Sequence, residues 1–214
     1  MKITAIVTAG GMQGRWTAPS CKHLAVVEGQ SLLLRLVQQL ETFCDRISIL
    51  AWRPEIRALC PEAWMPEISY REDLLPVLQA TEKLWDERTL IVHGDVAFGT
   101  ETMDWLKNWR GSLGFLGTES DIFAMMFARI NKAKIRRAMD EAIAYGFSSN
   151  PLQHGRLKLW SLYRHLVGAD PGQHEFGQDR TFHHSRDWTM DVDTLGQYVL
   201  LQEVMRRARA AGKL

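Results

Sequence analysis

The amino-acid sequence predicts one α/β domain, a three-layer sandwich in which a mostly parallel sheet carries helices on both faces. Short apolar runs rich in β-branched residues, the first at residues 3–8, are typical of buried parallel strands. Amphipathic segments between these runs are typical of the helices that connect parallel strands. The length of 214 residues suits a single domain covering residues 1–214.

The first half of the chain, residues 1–110, alternates strands with helices. Ser31 predicts the N-cap of a helix that runs to residue 43, because leucines at helical spacing follow it. Pro76 suits the first turn of a helix at 73–85. The predicted strands of this half lie at 3–8, 46–52 and 89–93, with short extended pieces at 23–27 and 68–70 and further helices at 54–59 and 102–109.

The second half, residues 111–214, reads in the same way. An apolar run predicts a strand at 122–130, and a basic amphipathic helix follows at 132–144. The remaining predictions are helices at 157–167 and 195–211 and extended segments at 180–184 and 188–190.

Composition narrows the class of protein. The net charge of +1 gives no overall basic field, so nucleic acid is not expected as a partner. Cys21, Cys44 and Cys60 lack the spacing of a zinc site or a disulfide framework, which favours reduced thiols in a cytoplasmic protein. No apolar run is long enough to cross a membrane, so we expect no membrane partner.

A glycine turn follows the first strand. It comprises residues 9–14 and contains Gly10, Gly11 and Gly14, which directly precede the cation Arg15. Lys22 follows shortly afterwards. Backbone N–H groups of glycines approach phosphates closely because no Cβ intervenes, and cations neutralise phosphate charge. The pattern predicts a phosphate-binding turn.

Three kinds of phosphate loop differ in the residues that follow their glycines. A P-loop requires Gly-Lys-Ser/Thr, whereas Arg15 and Trp16 follow Gly14. A dinucleotide-binding turn must open a helix, but Pro19 and the lack of an apolar stripe argue against a helix here. A nucleotidyltransferase turn of the form Gly-Gly-x-x-Gly-Arg, with a lysine shortly after it, matches best.

Acidic residues are predicted at the ends of other strands. Asp95 follows the third strand, and Asp191 and Asp193 lie at the end of the extended segment 188–190. Ligands of α/β sheets bind at the carboxyl ends of the strands. Residues two apart on a strand share a face, so Asp191 and Asp193 are both candidate metal ligands.

These segments resemble the start, middle and end of one enzyme family. Residues 9–15 and 22–33, the Gly-Asp segment 90–96 and the segment 188–194 are similar to sugar-nucleotide pyrophosphorylases and cytidylyltransferase-like enzymes. Residues 111–184 match only loosely. The chain departs from the family at Gly14, where serine or threonine is frequent, and at Cys21, where the family has proline.

The resemblance implies the nucleotide-diphospho-sugar transferase (GT-A) fold and Mg²⁺-dependent transfer of a nucleoside monophosphate from a triphosphate to a sugar phosphate or other small anionic acceptor. Pyrophosphate is released. Residues 1–110 would form the nucleotide-binding half and residues 111–214 the acceptor-binding half. The site residues that it implies are Ala9, Gly10, Gly11 and Gly14 for the nucleotide, Arg15 and Lys22 for catalysis, and Asp95 and Asp193, with Asp191 as the other candidate, for Mg²⁺.

Other interpretations stay open at this stage. A glycosyltransferase of the same fold would bind a sugar nucleotide through a metal at Asp95, and a catalytically silent protein would only bind nucleotide. Arg15 and Lys22 favour nucleotidyl transfer, because glycosyl transfer releases no pyrophosphate from a triphosphate. The segment 154–158 is either an acceptor-binding element or a surface helix start, and a homodimer is an open possibility.

Overall fold

The computed structural model describes residues 2–11, 14–70, 72–149, 157–169 and 179–212. Ten strands and seven α-helices occur in these ranges. The strands are β1 (Ile3–Thr8), β2 (Val26–Val27), β3 (Gln30–Ser31), β4 (Arg46–Leu50), β5 (Arg88–His93), β6 (Val96–Ala97), β7 (Leu113–Gly117), β8 (Ile122–Ala128), β9 (Phe182–His184) and β10 (Met190–Asp191). The helices are α1 (Leu32–Glu41), α2 (Pro54–Leu59), α3 (Leu74–Ala80), α4 (Thr100–Asn108), α5 (Lys132–Ser149), α6 (Leu159–Val167) and α7 (Leu195–Ala210).

A six-stranded sheet with the order β4-β1-β5-β8-β7-β9 forms the centre of the fold. Strand β1 is parallel to both of its neighbours, β4 and β5. Strand β8 runs antiparallel to β5 and β7, and β9 is parallel to β7. The expected mostly parallel sheet is therefore confirmed, with β8 as the reversed strand.

Helices cover both faces of this sheet, as predicted. Alternate residues of β1 point into different apolar clusters: Ala5 and Val7 pack with leucines of α1 and α4, whereas Ile6 packs with residues of α3, α5 and α6. Every residue of β1 is buried. Side chains that alternate between two covered faces give the three layers.

Most predicted elements are confirmed, with shifts of a few residues at their ends. Ser31 is the N-cap of α1, and its hydroxyl accepts a hydrogen bond from the Leu34 N–H at 3.4 Å. The single helix expected at 73–85 is two elements: α3 ends at Ala80, and a separate 3₁₀ turn follows at Glu82–Leu84. The buried hydroxyl of Thr81 lies between the two, where it donates to the Leu78 carbonyl at 2.7 Å.

One predicted strand is absent, one observed strand was not predicted, and the extended piece expected at 23–27 is a strand only at Val26–Val27, because Lys22–Leu24 form a 3₁₀ turn. Residues 68–70 form no strand; Ile68 packs against the core without a strand partner, and the chain turns at the following residues. The strand β7 was not predicted, because two glycines interrupt its apolar pattern. Gly114 is required there, since a Cβ at this position would lie 2.7 Å from the indole nitrogen of Trp109.

The described part of the chain contains no helix with the length and apolarity needed to cross a bilayer.

Candidate active site

A cavity of about 590 Å³ lies at the carboxyl ends of β1, β4 and β5. Such an edge of a parallel sheet is where ligands of α/β proteins bind. The lining includes nearly all the site residues predicted from the sequence: Gly10, Gly11, Gly14, Arg15, Lys22, Asp95, Asp191 and Asp193.

Ala9 is the predicted residue that does not line this cavity. It is fully buried, and its backbone N–H donates to the Leu50 carbonyl at 2.9 Å. The structure thus places Ala9 behind the glycine turn, where it joins the turn to β4. Residues 12 and 13 of the turn lie outside the described residues.

Asp95, Asp191 and Asp193, hereafter the carboxylate trio, come together at one end of the cavity. One oxygen from each lies within 4.8 Å of the others. Asp95 precedes β6, which pairs antiparallel with β10 so that Asp191 is opposite Val96. The Val192 N–H also donates to the Asp95 carbonyl at 3.1 Å, which holds the two segments in register.

Asp187 fixes the segment that carries β10. Its carboxylate accepts hydrogen bonds from the Thr102 hydroxyl at 2.7 Å and the Thr102 N–H at 3.0 Å, both at the start of α4. It also accepts from the Thr189 hydroxyl at 2.6 Å. Gly99 is required beside it, because a Cβ there would lie 2.2 Å from the Asp187 carboxylate. These contacts tie β10 to the first turn of α4.

Helix α7 supports the other end of this segment. Thr194 and Gln197 form a capping box, in which each side chain accepts from the backbone N–H of the other. The Gln197 side chain also accepts from the Asp193 N–H at 2.9 Å. The capping box and this hydrogen bond fix the backbone of Asp193 directly before the first turn of α7.

Two predicted cations contact the carboxylate trio. The ammonium of Lys22 forms ion pairs with both Asp95 and Asp193, and the guanidinium of Arg15 pairs with Asp193. The Lys22 side chain is 6% exposed, whereas the Arg15 side chain is 66% exposed. The lysine is therefore part of the buried site, and the arginine reaches it from the surface.

The environment shifts the pKa values of Asp95 and Asp191 in opposite directions. Burial is the largest single influence on the pKa of Asp95 and would raise it, but the charges of Lys22, His23 and His93 and the hydrogen bond from Lys22 together outweigh burial and hold this pKa well below its usual range. For Asp191, burial and then the negative charge of Asp95 raise the pKa to about 7. Burial lowers the pKa of the neighbouring His23 to about 4, so its imidazole is neutral near pH 7.

Sequence reasoning missed the aromatic support of the glycine turn. The indole N–H of Trp52 donates to the Gly10 carbonyl at 2.6 Å, and Arg53 lies 4.8 Å over the Trp52 ring. A Cβ at Gly10 would lie 2.3 Å from the Met65 methyl and 3.4 Å from Trp52. The signal available in the sequence was an aromatic residue at the end of the strand predicted at 46–52, but its hydrogen-bond partner depends on which strands are neighbours.

The variant Trp52→Phe tests this support. It keeps an aromatic ring and removes the hydrogen bond to Gly10, which contributes about 1 kcal/mol. If the turn binds triphosphate, the apparent affinity for nucleotide should fall about 5-fold with a small change in melting temperature. Isothermal titration with nucleotide measures it, and Trp109→Phe, a change outside the cavity lining, is the control. Unchanged affinity in Trp52→Phe would contradict a positioning role.

The second half of the chain contributes to the same cavity. Asp121, directly before β8, and Lys158, directly before α6, line it. Glu72, which belongs to the first half and lies shortly before α3, lines it as well. Lys158 belongs to the segment 154–158 that the sequence singled out as a candidate acceptor element. Residues 154–156 lie outside the described residues.

The fold is shared with solved structures of known enzymes. No protein-family model matches the chain, and no curated protein does. CTP:phosphocholine cytidylyltransferase from Streptococcus pneumoniae matches with a TM-score of 0.67 and 12% identity, covering 96% of this chain and 100% of the other.

Two further solved structures share this fold. The inositol-1-phosphate CTP transferase from T. maritima matches with a TM-score of 0.63 and 11% identity over 94% of this chain and 95% of the other. The 4-diphosphocytidyl-2C-methyl-D-erythritol synthase from Anaerococcus prevotii matches with a TM-score of 0.61 and 13% identity over 96% of each chain. The protein therefore has the α/β fold of these nucleotidyltransferases.

Proposed function

We propose that the protein is a Mg²⁺-dependent nucleotidyltransferase that transfers a nucleoside monophosphate from a triphosphate to a small phosphorylated or acidic acceptor. One observation carries the proposal. Two cations that follow the glycine turn, Arg15 and Lys22, meet the carboxylate trio at one end of the cavity. This charge distribution suits a triphosphate bound between cations and a metal.

The donor set fits a magnesium ion. The carboxylate trio offers hard oxygen ligands from three side chains that lie within 4.8 Å of one another. Asp95 and Asp193 would hold the ion, with Asp191 as a third candidate. Mg²⁺ bound there would neutralise charge on the phosphates.

The residues of the chain then position and neutralise the reactants. Backbone N–H groups of Gly10 and Gly11 cradle the triphosphate, and Lys22 contacts the α-phosphate. An acceptor oxygen forms a bond to the α-phosphorus as the bond from that phosphorus to the bridging oxygen breaks. The electron pair of that bond leaves with pyrophosphate, which Arg15 stabilises.

The acceptor would enter from the side of the cavity that the second half lines. Asp121 and Lys158 lie there and offer one acidic and one basic group to an acceptor. The cavity volume is within the range of about 300–1,000 Å³ typical of small-molecule sites. Three similar structures carry a cytidylyl or CTP activity in their names and another is named as a putative glucose-1-phosphate thymidylyltransferase, so CTP and dTTP are the first nucleotides to test.

A small acceptor is favoured over nucleic acid. The basic cluster on α5 is partly neutralised, since Lys132 and Arg136 pair with Glu82 at 3.6 and 2.6 Å. Arg136 also lies 3.5 Å from Asp140. A cytoplasmic location and a homodimer stay predictions of the sequence.

A screen for pyrophosphate release tests the proposed function. Purified protein with Mg²⁺ is incubated with each of four nucleoside triphosphates and with sugar 1-phosphates, acidic sugars or phosphocholine. We expect acceptor-dependent pyrophosphate release with one pair. Hydrolysis of a sugar nucleotide without pyrophosphate would instead support a glycosyltransferase, and nucleotide binding without turnover would support a silent binding protein.

A further inference from the structure

The ammonium of Lys22 lies where a cation bound to the carboxylates would lie. It contacts one oxygen of Asp95 and one of Asp193, the two residues assigned to the metal. Its side chain is nearly fully buried, so water contributes little to the charge balance. In the protein without ligands, Lys22 is thus the inner cation of the carboxylate trio.

The partly buried trio needs such a cation. Three carboxylates whose oxygens lie within 4.8 Å of one another repel, because partial burial leaves little water to screen their charges. Arg15 adds a second positive charge, but water screens its exposed side chain, so its contribution is small.

A divalent metal and Lys22 compete for the same two carboxylates. Mg²⁺ draws its ligands to about 2.0–2.1 Å in near-octahedral geometry, so an ammonium that occupies one oxygen of each carboxylate leaves the ion a poorer set of ligand atoms. The metal also adds positive charge beside the lysine and repels it. Entry of the metal therefore favours movement of Lys22 to another anion.

We propose that Lys22 is the resident counter-cation of the metal site, and that an incoming triphosphate releases it. The ammonium transfers from the carboxylates to phosphate oxygens, and the carboxylates become available to the metal. Metal and triphosphate consequently bind with positive coupling, and each raises the affinity of the other by the same factor. This inference rests on the proposed function, because it assumes that both ligands use this cavity.

Lys22 is suited to the exchange. A lysine carries a compact charge with three donors on a flexible four-carbon stem. The backbone at its base is fixed, because the Leu24 N–H donates to the Cys21 carbonyl at 2.9 Å and the Ala25 N–H donates to the Lys22 carbonyl at 3.0 Å. The ammonium changes partners while the turn stays in place.

Binding of Mn²⁺, followed by the electron paramagnetic resonance of the free ion, tests the inference. Without nucleotide, Lys22→Met should bind Mn²⁺ about 10-fold more tightly than the wild type, within the usual range of coupling between sites. An α,β-methylene analogue of CTP, which cannot release pyrophosphate, should raise the Mn²⁺ affinity of the wild type about 5-fold or more. The same analogue should change the affinity of Lys22→Met far less.

Arg15→Met is the comparison variant. It removes the exposed cation that contacts the same trio, and we expect it to raise the Mn²⁺ affinity less than Lys22→Met does, because water screens the exposed guanidinium. A Lys22→Met protein that binds Mn²⁺ no more tightly than the wild type overturns the inference. Tight Mn²⁺ binding by the wild type that is insensitive to the analogue overturns it as well.

Stability measurements cover the case in which Lys22→Met folds poorly. Mn²⁺ should raise the melting temperature of Lys22→Met and Lys22→Gln more than that of the wild type, because it replaces the missing charge. An equal or smaller rise contradicts the inference. These readouts need no turnover, so the absence of pyrophosphate release with every substrate pair would refute the proposed function separately.

Discussion

Asp95→Asn is expected to lower the rate of pyrophosphate release by about 10²–10³-fold, because the proposed metal would bind less tightly and would stabilise the charge developing on the phosphates less. The amide keeps the shape of the side chain and removes the negative charge that would hold the metal. The fold should persist, because the Asp95 backbone carbonyl still accepts from Val192 and Lys22 still pairs with Asp193. A continuous pyrophosphate assay and circular-dichroism melting measure the two effects.

Asp104→Asn serves as the control for this variant. Asp104 is an exposed acid on α4 and does not line the cavity, so the same chemical change there should leave turnover unaltered. Near wild-type turnover in Asp95→Asn, with a normal melting curve, would show that Asp95 is not a metal ligand.

Lys22→Ala is expected to lower turnover by about 10²–10³-fold, mainly through kcat. A buried ammonium interacts more strongly with the α-phosphate as charge develops there, so its loss affects the transition state more than substrate binding. Arg15→Ala should cost less, because water screens the exposed guanidinium. Steady-state kinetics with the best substrate pair measure kcat and KM for both variants.

The test of the assignment is whether Lys22→Ala loses more turnover than Arg15→Ala. A loss in Arg15→Ala that equals or exceeds that in Lys22→Ala would contradict the assignment of Lys22 to the α-phosphate. Lys132→Ala is the matched control, since Lys132 also pairs with an acid but lies on α5, outside the cavity lining.

The parallel part of the fold was predictable because its strands carry a local signal. The runs that became β1 and β5 contain unbroken stretches of apolar or β-branched residues, at 3–8 and 89–92, which is the pattern of strands buried on both faces. Strand β7 has no such signal, because Gly114, which makes room for Trp109, interrupts its apolar pattern. This strand is stabilised by its pairing with β8 and β9. The reversed direction of β8 depends on that pairing too.

The charged members of the candidate site were predictable for a different reason. Arg15 and Lys22 follow the glycine turn after β1, and Asp95 follows β5. The carboxyl ends of parallel strands lie at the same edge of the sheet. Trp52 and Asp187 carry no comparable signal, since their partners Gly10 and Thr102 are distant in sequence. The exclusion of Ala9 from the cavity likewise follows from its backbone bond to Leu50.

The short ladder between β6 and β10 also bears on how the protein folds. Lys22 and Asp193 are 171 positions apart, yet their contact depends on this ladder. Closing so long a loop costs little more free energy than closing a shorter one, but the search for such distant contacts is slow. We expect a folding chain to form its glycine turn early and the contact between Lys22 and Asp193 last.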